Sequence, residues 1–117
     1  MKTASAKAKG RRLQQDVAKK ILEAFPSLEE DDVRSTAMGQ GGEDVQLSPA
    51  ARRLFPYSIE CKSRASFALY KDFDQGVANT PEGSETILVF RGDRKKALVA
   101  TTLDHFIELT GRTQTND

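Results

Sequence analysis

The sequence predicts a single mixed α/β domain. Three observations carry that reading. The chain opens on a long amphipathic helical stretch, strand-length apolar segments then interleave with shorter helical ones, and a glycine turn joins the last two strands. At 117 residues the chain can build one hydrophobic core and is too short for two. Folded residues are expected over 9–111, with a basic flexible tail at 1–8 and a second flexible tail at 112–117.

Taken in order, residues 10–25 place Leu13, Val17, Ile21 and Phe25 on one helical stripe, and Pro26-Ser27 ends the helix. Residues 32–38 read as a first strand running into a glycine turn over 39–42, which feeds a short strand with Asp44, Val45 and Leu47. Ser48 is a helix cap and Pro49 suits the first turn, so 48–54 reads as a short crossover helix into the strand 57–62. Ser66 can cap a helix through Val77 with the stripe Leu69, Tyr70, Phe73 and Val77. A loop over 79–85 precedes strands at 86–91 and 96–101, joined by a Gly92-Asp93 hairpin turn. Thr101 or Thr102 caps a last helix that Gly111 stops. On it Leu103, Phe106 and Leu109 are expected to pack, with His105 structural or at the surface, and Tyr57 and Tyr70 are expected to be partly buried.

Composition narrows the function classes. No apolar run approaches the ~20 residues that a membrane span needs, and the first residues lack the apolar core of a secretory signal. A soluble, cytoplasmic protein without a membrane partner is the expectation. The one cysteine, Cys61, makes neither an internal disulfide nor a thiolate metal cage, and the one histidine, His105, rules out a histidine-cluster motif. Net charge is only +1, but residues 1–20 hold seven basic side chains against the single acid Asp16. Lys9, Arg11, Arg12, Arg52 and Arg53 are therefore candidate phosphate contacts, giving salt-dependent affinity for DNA.

The chemistry concentrates in two short runs, Gly41-Gly42-Glu43-Asp44-Val45 and Tyr57-Ser58-Ile59-Glu60-Cys61-Lys62. Alternate strand residues share a face, so Glu60 and Lys62 project together with Ser58, while Tyr57, Ile59 and Cys61 point the other way. If Asp44 lies on a neighbouring strand, its carboxylate can meet Glu60 and hold Mg²⁺ (or Mn²⁺), which prefers oxygen ligands. Such an ion stabilises charge on a phosphate and acidifies an attacking water, which the Lys62 ammonium would orient or activate. Spacing alone also fits a solvated Glu-x-Lys strand face with Asp44 as a turn residue.

Glu43-Asp44, the run from Ser48 to Arg53, Phe55-Pro56 and Ile59-Glu60-Cys61-Lys62 resemble the PD-(D/E)XK nuclease superfamily. They are most similar to its small phage-type endonucleases, which are akin to archaeal-type Holliday junction resolvases. The resemblance implies a restriction-endonuclease-like fold with a mixed central sheet flanked by helices. It also implies metal binding by Asp44 and Glu60 and a catalytic Lys62. Lys9-Gly10-Arg11-Arg12-Leu13 matches the context of an acidic residue on the first helix of such nucleases, but Gln14 stands in that place here. A neutral amide can accept a hydrogen bond yet brings no charge, so a second metal is in doubt. Gln75 is a further site candidate by the same resemblance.

The implied function is a metal-dependent endodeoxyribonuclease acting on branched or Holliday-junction DNA. Its setting would be phage-type recombination inside a bacterial host, with a homodimer supplying the two sites that paired cuts require. The alternatives are a sequence-specific nicking or homing endonuclease, and a catalytically silent nucleic-acid-binding module on the same fold.

Overall fold

A computed structural model describes residues 2–36 and 42–115 of the chain. Helix α1 (Lys2–Ala24) buries Leu13, Ala18 and Ile21, which recur at the spacing that puts side chains on one helical face. The sequence predicts a flexible tail over 1–8, but the helix begins at Lys2. Ala4, Ala6 and Ala8 are strong helix formers, and no breaker precedes Gly10.

A single 3₁₀ turn (Glu30–Asp32) leads into strand β1 (Val33–Ser35). Residues 37–38 of the predicted strand and 39–41 of the glycine turn, Gly41 among them, lie outside the described residues. Strand β2 (Val45–Leu47) follows, then helix α2 (Pro49–Leu54), capped as its sequence predicts: Ser48 Oγ accepts from Ala51 N at 3.1 Å. The same hydroxyl donates to Asp32 Oδ1 at 2.6 Å, tying the cap to the 3₁₀ turn.

Strand β3 (Tyr57–Ser63) lies at the centre of a five-stranded sheet completed by β4 (Glu85–Arg91) and β5 (Leu98–Ala100), in the order β1-β2-β3-β4-β5. Only β3 and β4 run parallel, in register from Tyr57 opposite Glu85 to Ser63 opposite Arg91. That parallel pair needs a crossover, supplied by helix α3 (Leu69–Ala78). The hairpin between β4 and β5 is longer than a two-residue Gly-Asp turn. Lys95 N bonds Gly92 O at 3.2 Å and Arg94 takes a left-handed φ of 58°. Helix α4 (Leu103–Thr115) closes the chain and runs through Gly111, with Arg112 paired to Glu108 one turn earlier at 3.1 Å.

The sheet has two unlike faces. Ile59, Cys61, Ile87 and Val89 join Leu13, Ala18, Ile21, Val33 and Val45 in the core beneath α1. The alternate side chains of β3, Glu60 among them, face α3. Two packing expectations are corrected. The α3 stripe of Leu69, Tyr70 and Val77 is exposed, Tyr70 to 90%, while Asp72 and Gly76 are buried. Asp72 pairs with Arg64 at 3.1 Å, and glycine at position 76 lets the helix backbone approach β3. On α4, Leu103 and Phe106 are likewise exposed, and His105 is the side chain that turns inward. Tyr57 is half-buried as expected, stacked at a tilt on Phe55.

Candidate active site

The β2–β3 pairing centres on Val45 opposite Ile59, so Asp44 falls at the point where the chain enters β2. Its backbone is fixed on both sides: Asp44 N donates to Ile59 O at 3.0 Å and Asp44 O accepts from Thr36 N at 2.9 Å. Its carboxylate Oδ2 accepts from Cys61 N at 2.7 Å. This bond sets the Asp44 side chain against the β3 backbone next to Glu60, the juxtaposition that sequence spacing proposed.

Glu60 is 3% exposed, and its Oε2 lies 3.3 Å from Lys62 Nζ. The Asn79 side chain, just past the end of α3, lies near enough to the carboxylate to favour its charged form. Gly76 makes this approach possible, because a Cβ there would lie 3.0 Å from both Glu60 Cβ and Thr86 Cγ2. Thr86 in turn shares a hydrogen bond with Thr80 Oγ1 at 2.6 Å. The α3 face over the site is thus built from small and polar groups.

Electrostatics follow from burial. Removal from water pushes the Asp44 carboxyl above its ordinary range, opposed by the Cys61 N–H and the Lys62 ammonium. Burial raises Glu60 as well, the Asp44 charge adds to the rise, and Lys62 and Asn79 oppose it. Two carboxylates share a desolvated site with one ammonium, a surplus of negative charge that a divalent cation would offset. The donors are all hard oxygens, so the residues present fit Mg²⁺ or Mn²⁺. Cys61 points into the apolar core, where burial raises its thiol and keeps it inert.

The remaining candidates are placed as follows. Gln14 lies next to Leu13 on the buried side of α1, 6% exposed, and its Oε1 accepts no hydrogen bond. No hydrogen bond to that oxygen links it with the Asp44–Glu60 pair. Gln75 is exposed on α3, and the polar side chain that the helix sends to Glu60 is Asn79, four residues later. Arg52 grips the Glu43 carboxylate through Nη2 at 2.7 and 3.0 Å, so Glu43 is held away from metal duty and Arg52 is half-buried. Arg53 is exposed.

Lys9 pairs with Asp93 at 2.9 Å, and Arg11 and Arg12 are exposed. Lys9 and Arg12 line a cavity of about 150 Å³ with Ser63, Arg91, Asp93 and Arg94, and Arg91 pairs with Asp16 at 2.8 Å. Sequence reasoning missed Arg91 and Arg94, which are 82 or more residues from Lys9 and reach it only through the hairpin. No protein-family model, curated protein or solved structure matches the chain. Among the described residues no helix is long and apolar enough to cross a membrane.

Proposed function

We propose that this chain is a metal-dependent endodeoxyribonuclease of the PD-(D/E)XK type, cutting branched DNA. The observation that carries the reading is the meeting of Asp44 and Glu60 in a desolvated site with Lys62 Nζ 3.3 Å from Glu60. Asp44 and Glu60 would hold Mg²⁺, which supplies Lewis acidity at the scissile phosphate. Lys62 places a positive charge beside the carboxylates, where it can orient a water or balance charge that develops on the phosphate. The close approach of α3 at Gly76 confines the Glu60 side chain, and position governs rate in such sites.

Arg12 and Arg94, beside the Lys9–Asp93 and Arg91–Asp16 ion pairs at the end of β3, would suit flanking phosphates. A homodimer would present two such sites to a junction. The exposed apolar side chains Leu69, Tyr70, Leu103, Phe106 and Ile107 on α3 and α4 suit the contact between copies.

The test is cleavage of a labelled four-way junction, a matched duplex and single-stranded DNA with Mg²⁺, Mn²⁺ or EDTA. Junction cutting that needs metal and is lost in Glu60→Ala supports the proposal. Metal-dependent duplex cutting would replace the resolvase reading with a nicking or homing endonuclease. Binding without cleavage of any substrate would favour the silent module, for which the unpartnered Oε1 of Gln14 is the structural hint.

A further inference from the structure

At the other end of β3 from Lys62, a second group of ligating side chains converges. Glu85 begins β4, while His105 and Glu108 lie one turn apart on α4. One ligating atom from each falls within 4.8 Å of the others. His105 Nδ1 is 3.3 Å from Glu108 Oε1 and 3.9 Å from Glu85 Oε1. Two donors bonded at ~2.1 Å to one tetrahedral ion lie ~3.4 Å apart, so only the half-exposed glutamates need to move.

The imidazole supplies the independent observation. His105 is 5% exposed, and its Nδ1 is buried without a hydrogen-bond partner while aimed at the two carboxylates. Its other nitrogen is engaged, with Nε2 2.7 Å from Tyr57 Oη. A ring whose Nε2–H donates to that hydroxyl presents a bare lone pair at Nδ1, the tautomer that a metal ligand requires. Native structures seldom leave such a buried nitrogen unsatisfied.

We propose that Glu85, His105 and Glu108 form a second metal site, selective for a Zn²⁺-class ion, that clips α4 to the sheet. One imidazole and two carboxylates match Zn²⁺ better than Mg²⁺, which takes oxygen donors and keeps most of its water. The clip has a structural purpose. Leu103, Phe106 and Ile107 are exposed, so α4 brings little apolar surface to the sheet, and His105 is its inward anchor. Arg112 lies 3.1 Å from the Glu108 oxygen that faces His105, and the incoming ion would take over the neutralisation of that carboxylate. The site is separate from Asp44 and Glu60 and does not depend on the nuclease proposal.

His105 is the sole histidine, so its ring nitrogens can be followed without ambiguity in the untagged chain. Zn²⁺ is titrated in excess Mg²⁺ into wild type, Glu85→Gln and Glu108→Gln, and monitored by calorimetry, ¹⁵N shifts of the imidazole and melting temperature. Both glutamates are half-exposed, so neither variant threatens folding. The expected result is a single Zn²⁺ whose binding moves the Nδ1 resonance and raises the melting temperature, weakened at least ~10-fold in each variant. Three results would overturn the proposal: no binding, binding that leaves the imidazole shifts unchanged, or binding equal in wild type and both variants. The second of these would place the ion at Asp44 and Glu60.

Discussion

The two faces of the central sheet are built from one strand and do opposite things. On the α1 side, β3 contributes Ile59 and Cys61 to a dry core that includes Leu13, Ile21, Ile87 and Val89. On the α3 side the residues between them place Glu60 and Lys62 in a site where burial works against charge. The first face stabilises the fold through apolar area removed from water. The second holds a buried charge pair that contributes little to stability or opposes it, which is the usual condition of a functional site. The sheet can carry the second face because the first is complete.

The largest expected effect breaks the supporting face. Leu13→Ala should lower unfolding free energy by about 2 to 5 kcal/mol in chemical denaturation, since Leu13 is fully buried and its site cannot collapse against a rigid sheet. Glu60→Gln should separate the two roles. Cleavage should fall at least ~100-fold, a loss of about 2.7 kcal/mol of transition-state stabilisation. In EDTA, however, the melting temperature should rise, because a carboxylate whose charge burial disfavours has been removed. A fall in both quantities would mean that Glu60 is a structural ion-pair member.

Gly76→Ala probes the approach of α3 to the site. The new Cβ would press on the Glu60 Cβ, which is anchored in the central strand. The overpacking should outweigh the ~1 kcal/mol that alanine adds to helix propensity, for a net loss of about 1 kcal/mol and slower cleavage. Gln14→Leu should stabilise the protein by about 1 kcal/mol, as it removes an orphaned buried carbonyl oxygen of similar shape. Unchanged cleavage in that variant would make Gln14 a core residue, and reduced cleavage would give its amide a role in the site.

The smallest effect lies outside both faces. Asp32 is held below the ordinary carboxylate range by the Ser48 hydroxyl and the Glu29 N–H. Its contribution is present above the unfolded pKa and is lost as pH falls through the folded one. Wild type should therefore lose stability more steeply than Asp32→Asn below about pH 4, measured as melting temperature against pH.

Much of this was legible beforehand. The Ser48-Pro49 cap, the short helix after it and the strand from Tyr57 follow from local chemistry, because a cap, a period-two pattern and a proline act over a few residues, although that helix joins antiparallel strands and is no crossover. The meeting of Asp44 with Glu60 was legible only on the condition that the two strands are neighbours, which the pairing of Val45 with Ile59 supplies. The orientation of α3 could not be read in this way. Leu69, Tyr70 and Val77 form an apolar stripe that periodicity turns inward, yet the Arg64–Asp72 pair and the close approach at Gly76 turn the opposite face to the sheet. The same holds for α4, where His105 displaces Phe106 as the inward residue by bonding Tyr57, 48 residues away.

The sequence by itself determined the element order, the buried stripe of α1 and the face on which Glu60 and Lys62 stand together. These depend on backbone periodicity and on residues close in the chain. Only the tertiary structure decided that Gly76 brings α3 against Glu60, that Arg52 occupies Glu43, that Lys9 pairs with Asp93, and that Glu85 meets His105 and Glu108. Each of these contacts joins side chains from different elements, and the packing of one element on another fixes which of many polar groups meet.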